Sequence, residues 1–353
     1  MSLPKTTNLW AVHGSAPGAG TGALKWKNDQ NIPELHPSEV LVKLRAGSLN
    51  YRDIVICQGI YPRKLIEGVV PGSDGAGEVV AVGSAVSRFK TGDSVVTTFY
   101  QDFFGGPAPT EANAEKALGG SAHGTFRQYG IFDEHGLLLL PANLNYLEGA
   151  TLSCAGLTAW NSLNGLQYLK PGDCVLTQGT GGVSLFAIQF ALATGATVIA
   201  TTSSNTKAEK LKALGVHHII NYREEPNWGA KAKELSPKGL GCQRIIEVGG
   251  PKTIKQSLQA VAPGGHIAII GFLTGFEKDE DHPSFLEPFS RMCIVRGIEV
   301  GNRTQFEEMI RAIEANDIHP VIDPTVFPLE DLPSAFQYQY DQKHTGKVVI
   351  SIG

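Results

Sequence analysis

The densest chemical signal in the chain is CVLTQGTGGVSLFAIQFA, beginning at Cys174, where an apolar strand pattern runs into Gly179, Thr180, Gly181, Gly182 and Val183 and then into a helical pattern. Glycines between a strand and a helix permit a tight turn, let backbone amides approach a pyrophosphate, and put the positive end of the helix dipole beside it. The strict G-x-G-x-x-G spacing is broken at Ser184, whose small side chain still suits close packing of helix on strand. The spacing predicts a dinucleotide site.

The end of the next strand, TVIATT, says which nicotinamide is used. An NAD-selective site wants a carboxylate about 20 residues beyond the first glycine, yet no acidic residue lies between Asp173 and Glu209. Ser203, Ser204 and Lys207 stand there instead, and two hydroxyls with an ammonium solvate a 2′-phosphate that a carboxylate would repel. NADP is the expected cofactor, with the Tyr222 hydroxyl as a further contact. The plainer alternative is that the serines cap a helix and Lys207 is a solvated helix residue.

These residues need a frame, and the chain supplies two textures for it. The N-terminal part reads as short strands broken by glycine and proline (EVLVKLRAGSLN, GAGEVVAVGSAV, GDSVVTTFY), with little helical periodicity. From about Thr151 strands alternate with amphipathic helices, the pattern of a parallel α/β sheet, ending in CIVRGIEVG and the helix TQFEEMIRAIEAN with its stripe of Phe306, Met309, Ile310 and Ile313. After Asn316 a prolyl, strand-like texture returns. A chain of 353 residues exceeds one core, so two domains are expected: 1–148 completed by the tail 317–353, and 149–316 for the cofactor. Between Phe99 and Gly130 lies a long run of small and turn residues, either a cover for an active-site mouth or a surface insertion.

Composition narrows the function. Hydrophobic residues at 42% and charged residues at 18% describe an ordinary globular protein. A net charge of −4 and a pI near 6.2 give no field for a phosphate backbone, so nucleic acid is excluded as a partner. No apolar run matches a secretory signal or a bilayer span, and five scattered cysteines without a C-x-x-C pair suit a reducing compartment; the expected location is the cytoplasm, with no membrane partner. Ten histidines form no H-E-x-x-H pair, and no nucleophile elbow is present.

Taken together, LNYRDI, GIYP, PGSDGAGEVVAVG, GLTAW, GTGGVS, NYRE and GKVVI resemble the medium-chain dehydrogenase/reductase superfamily over nearly the whole chain. The resemblance implies an α/β fold: a GroES-like N-terminal β domain, closed by the tail, and a doubly wound parallel Rossmann sheet, with the active site in the cleft. It also implies a homodimer, joined through the edge strand CIVRGIEVG. In zinc members a cysteine, a histidine and a second cysteine hold the metal; the matching positions here are Asn50, Ser73 and Cys154. One strong ligand of three cannot hold zinc, and Asp74, as the next residue on a strand, is expected to face away. The structural zinc lobe is missing as well, since no cysteine lies between Cys57 and Cys154. No metal is expected.

The reading that follows is an NADPH-dependent reductase of an activated C=C bond or a quinone, acting on a small molecule. Hydride from the nicotinamide leaves an enolate or hydroquinone oxygen that needs donors, for which the resemblance offers Asn50 and Tyr61, with Tyr51 as a second candidate; water is an alternative proton source. Arg52 and Asp53 either brace the loop or transfer a proton. Thr158, Gly249, Gly271, Phe272 and, from the tail, Lys347 are the remaining candidate cofactor contacts. Two other readings stand beside this one: an alcohol dehydrogenase or carbonyl reductase, and a non-catalytic NADPH-binding or redox-sensing protein.

Overall fold

A computed structural model describes residues 3–275 and 283–353. Among these residues the chain divides into two compact units, 1–157 with 302–353, and 158–301.

In the first unit a long strand, Glu39–Ser48, organises the sheet. Asp74–Val82, Tyr129–Asp133 and the tail strand Val349–Ser351 all pair with it antiparallel. Ser94–Thr97 and Leu137–Leu139 extend the sheet beyond Asp74–Val82, and Thr6–Val12 pairs with Leu24–Asn31 separately. Inward residues Val40, Val42, Leu44 and Val79 join Phe126 and, from the tail, Leu332, Phe336, Val348 and Ile350 in one buried core. The tail is not all strand: Leu332–Tyr340 is a helix opened by Pro333, at a position where the missing N–H costs nothing. The stretch Phe99–Gly130 buries Phe99, Tyr100, Phe103 and Phe126 and leaves Phe104 exposed, so much of it is core.

The second unit is a six-stranded parallel sheet in the order His218–Asn221, Thr197–Thr202, Cys174–Gln178, Cys242–Glu247, Val261–Ile269, Ile294–Gly297. Every residue of Cys174–Gln178 is buried, as a central parallel strand covered on both faces requires. The strand order reverses between Cys174–Gln178 and Cys242–Glu247, the switch point at which such sheets bind ligands beyond the carboxyl ends.

The sequence textures place the domain limits at 148/149 and 316/317, whereas the compact units change over at 157/158 and 301/302. The helix Arg303–Ala315 accounts for the larger difference. Arg303 donates to the Leu137 and His135 carbonyls, Asn302 Nδ2 to Gly106 O at 2.9 Å, and Glu314 Oε1 accepts from Ala142 N at 2.9 Å. Phe306, Met309 and Ile313 are buried as the helical stripe demands.

Candidate functional site

In the second unit the candidate cofactor residues lie around the switch point. Gly179 adopts φ +75°, a conformation only glycine takes freely, and a Cβ added at Gly179 or Gly181 would meet no atom within 4 Å. That open cradle, with the N-terminus of helix Gly182–Thr194 behind it, fits a pyrophosphate. Gly181 is the N-cap, and Gly182 and Val183 begin the helix, so Thr180 to Val183 present the turn's amides. Ser184 keeps the turn tight by donating to Gln178 O at 2.7 Å.

The turn after the neighbouring strand is fixed by a residue the sequence reading passed over. Glu247 is completely buried and accepts five hydrogen bonds: Gly249 N at 2.9 Å, Gly250 N at 3.0 Å, Thr253 Oγ1 and Ser257 Oγ at 2.5 Å, and Gln178 Nε2 at 2.7 Å. Gln178 Oε1 in turn accepts from Val248 N and Gly249 N, both at 3.1 Å. The carboxylate therefore ties the residue before the glycine turn to the Val248–Gly250 turn. Thr274 donates to Gly249 O through both its N–H and its hydroxyl at 2.9 Å, which brings Gly271 and Phe272 to the same end of the sheet. A lone acid inside the apolar run RIIEVGG, next to glycines, was the available signal. Thr158 is buried near the start of the helix Leu157–Asn164.

At the end of Thr197–Thr202, Ser204 is the N-cap of Asn205–Ala213 and accepts from Lys207 N at 3.3 Å, so the capping alternative describes its oxygen while its O–H remains a donor. Ser203 and Lys207 are half-buried beside it. Tyr222 is exposed, with its N–H on Thr202 O at 3.0 Å, and the exposed Arg223 follows it. Arg223 is a further cation at this edge that sequence reasoning missed.

In the first unit, Asn50 is the N-cap of the helix Tyr51–Cys57, and Asp53 Oδ2 accepts its N–H at 2.8 Å. Burial pushes the Asp53 carboxyl up to about 6, against the opposing pull of Arg52 and of the Asn50 N–H. Arg52 reaches across the helix start: Nε donates to Tyr61 Oη at 3.4 Å, Nη1 donates to Leu118 O at 2.9 Å, and the guanidinium lies 4.7 Å from the Phe99 ring centre. Because arginine only donates, the Tyr61 phenol proton is left to serve another acceptor. Tyr51 is 43% exposed at the head of the helix.

The buried heart of this unit departs from the expectation for Asp74. Asp74 does not face away: Asn50 Nδ2 donates to Asp74 Oδ2 at 3.0 Å and to Ser73 Oγ at 3.4 Å. Ser73 lies in a bend before the strand Asp74–Val82, so strand alternation does not separate the two. Lys347 turns its ammonium into the unit. Its Nζ donates to Leu49 O at 2.7 Å, Asn50 Oδ1 at 2.6 Å and Asp74 Oδ2 at 3.0 Å, which uses all three ammonium protons inside the unit. Ser48 Oγ completes the set on Asp74 Oδ2 at 2.7 Å.

Residues 36–142 match the alcohol dehydrogenase GroES-like domain, and residues 182–315 match the zinc-binding dehydrogenase domain. The chain is 46% identical to a zinc-type alcohol dehydrogenase-like protein of Schizosaccharomyces pombe, covering 95% of this chain and 96% of the relative. The chain belongs to the medium-chain dehydrogenase/reductase superfamily. Within this superfamily it is also similar to a quinone oxidoreductase of Lama guanicoe, at 27% identity over 94% of both chains. A solved NAD-dependent alcohol dehydrogenase matches with a TM-score of 0.85 and 32% identity, covering 98% of this chain and 100% of the other.

Although zinc stands in two of these descriptions, the residues here do not fit it. Catalytic zinc takes three ligands from thiolate, imidazole and carboxylate. At the matching positions Asn50 turns its oxygen to an ammonium, Ser73 has a hydroxyl, and burial followed by the charge of Asp74 pushes the Cys154 thiol up. Among the described residues no three of His, Cys, Asp and Glu gather into a metal-holding group, and no helix is long and apolar enough to cross a membrane.

Proposed function

We propose that the chain is a zinc-independent, NADPH-dependent oxidoreductase that reduces an activated C=C bond or a quinone in a small cytoplasmic substrate. The observation that carries this reading is the first unit's polar cluster, in which the Asn50 amide and the Ser73 hydroxyl stand at two of the three positions where zinc members place metal ligands. The five free cysteines suit a reducing compartment.

NADPH would supply the hydride. Gly179 to Val183 would hold its pyrophosphate, Ser203, Ser204, Lys207 and Tyr222 its 2′-phosphate, and Thr158, Gly249, Gly271 and Phe272 line the remaining contacts. For the acceptor, Tyr61 O–H and Asn50 Nδ2–H donate to the oxygen on which charge develops, with Tyr51 as the exposed third donor. The Asn50–Ser73 contact at 3.4 Å is long enough for an acceptor oxygen to replace it.

Carbonyl reduction or alcohol oxidation is the second reading, favoured by the alcohol dehydrogenase relatives at higher identity. Initial rates with NADPH on a quinone, an α,β-unsaturated ketone and a simple aldehyde separate the two: turnover of the aldehyde alone would transfer the assignment.

A second copy of the chain is the proposed partner. Among the described residues Ile294–Gly297 is the last strand of the six-stranded sheet. Phe285, Leu286, Phe289 and Met292 beside it are exposed by 99%, 68%, 84% and 68%. A terminal strand flanked by large exposed apolar side chains suits association across a two-fold axis.

A further inference from the structure

We infer that the face of the helix Arg303–Ala315 beside the strand Leu137–Leu139 carries an anion site, built to take a phosphate monoester with a short apolar body. The site lies wholly within the first unit and does not depend on the oxidoreductase reading.

Along that helix Arg303, Glu307, Ile310 and Arg311 stand at i, i+4, i+7 and i+8, the spacing that brings side chains to one side. With Arg88, from the connection between Asp74–Val82 and Ser94–Thr97, they line a cavity of about 320 Å³. Small-molecule sites take up about 300–1,000 Å³, so this one suits a small ligand. Phe89, Leu138, Leu139 and Ile310 give it an apolar wall, on which Leu139 is 56% exposed.

The charged part of the lining is unbalanced, with three guanidiniums against the carboxylate of Glu307. Glu307 Oε1 accepts from Arg303 Nε at 3.1 Å and lies 3.6 Å from Arg88 Nη2, so one acid is divided between two cations. Arg311 is exposed and makes no ion pair among the described residues. Arg303 is 7% exposed; its Nη1 donates to the His135 and Leu137 carbonyls, while Nη2 is buried without an acceptor. Burial first, and the charge of Arg88 second, push the Arg303 guanidinium below its ordinary value, against the pull of Glu307 and a smaller one from Asp133. Two positive charges are therefore left over, one beside a buried cation that an entering anion would stabilise.

The excess selects the ligand. A phosphate monoester carries about −1.5 to −2 charges at pH 7 and three acceptor oxygens, which match two free guanidiniums in charge and fork geometry. A carboxylate would leave one cation unmatched, and inorganic phosphate would leave the apolar wall bare. The ester's apolar body covers Leu139 and Ile310.

The test is a calorimetric titration of the full-length chain with octyl phosphate, compared with octanoate, inorganic phosphate and octanol. Octyl phosphate is expected to bind once per chain, about tenfold or more tighter than any of the other three. Arg88→Ala and Arg311→Ala are each expected to weaken it by about tenfold, and Arg311→Glu to abolish it. Both residues are exposed, so the fold tolerates their loss, and the buried Arg303 is left in place. Lys207→Glu, at the proposed cofactor edge of the second unit, is expected to leave the titration unchanged. No binding of octyl phosphate, equal affinity for octanoate or octanol, full affinity in Arg88→Ala and Arg311→Ala, or loss of binding in Lys207→Glu would each overturn the inference.

Discussion

Replacing Glu247 by glutamine exchanges one oxygen of a five-fold acceptor for an amide group that only donates. The Ser257 hydroxyl can rotate to accept from that amide, but Gln178 Nε2 cannot turn away, because its Oε1 is held by the N–H groups of Val248 and Gly249 at 3.1 Å. One donor therefore faces another. Losing a hydrogen bond to a charged group costs about 1.5–3 kcal/mol and stranding a buried donor a further 1–3 kcal/mol, so a local loss of about 3 kcal/mol is expected. Hydrogen exchange resolves the effect within the second unit. Peptides spanning the glycine turn and the Val248–Gly250 turn should lose about a hundredfold in protection, since each 1.4 kcal/mol is about a factor of ten. NADPH affinity should weaken in parallel, because both turns face the cofactor in the proposed assignment. Protection within about threefold of wild type would refute the claim that this carboxylate fixes the cradle.

At the edge of the cofactor site, Lys207→Glu should lower NADPH affinity about tenfold or more and leave NADH nearly unchanged, read from the ratio of kcat/KM values. Asp53 has a pH signature. Its folded carboxyl stands at about 6 against an unfolded value of 3.8, so the folded state binds the extra proton between them and stability falls as pH rises through that window. Asp53→Asn should flatten the slope by up to about 3 kcal/mol between pH 4 and 7 in paired urea melts; equal slopes would show that the buried acid is not the source. Phe289→Asp should convert the proposed dimer to monomer in sedimentation, whereas a dimer that persists would move the interface elsewhere.

Local patterns reported themselves well in the sequence. The glycine turn, the strand Thr197–Thr202 and the helix after it depend on neighbours only a few residues apart, and the structure places them close to their sequence limits. What stayed hidden depended on distant chain. Lys347 lies 297 residues from Asn50, and nothing in GKVVI says that its ammonium turns inward. Asp74 was set aside on strand alternation, a rule that lapses when the preceding residue is a bend. Arg303–Ala315 has the periodicity of any core helix, and only its side-chain bonds to Leu137 and Gly106 show which core it joins. Glu247 reads as a blemish in an apolar strand until its five donors are seen.

In the proposed assignment this superfamily member reduces its acceptor with NADPH and without zinc. The most direct measurement is the metal content of the purified chain by plasma mass spectrometry, paired with NADPH and NADH oxidation by the same chelated sample in the presence of a quinone or an enone. Less than stoichiometric zinc, turnover that added zinc does not change, and a preference for NADPH are expected. One tightly held zinc per chain, with activity that chelation abolishes and zinc restores, would contradict the assignment.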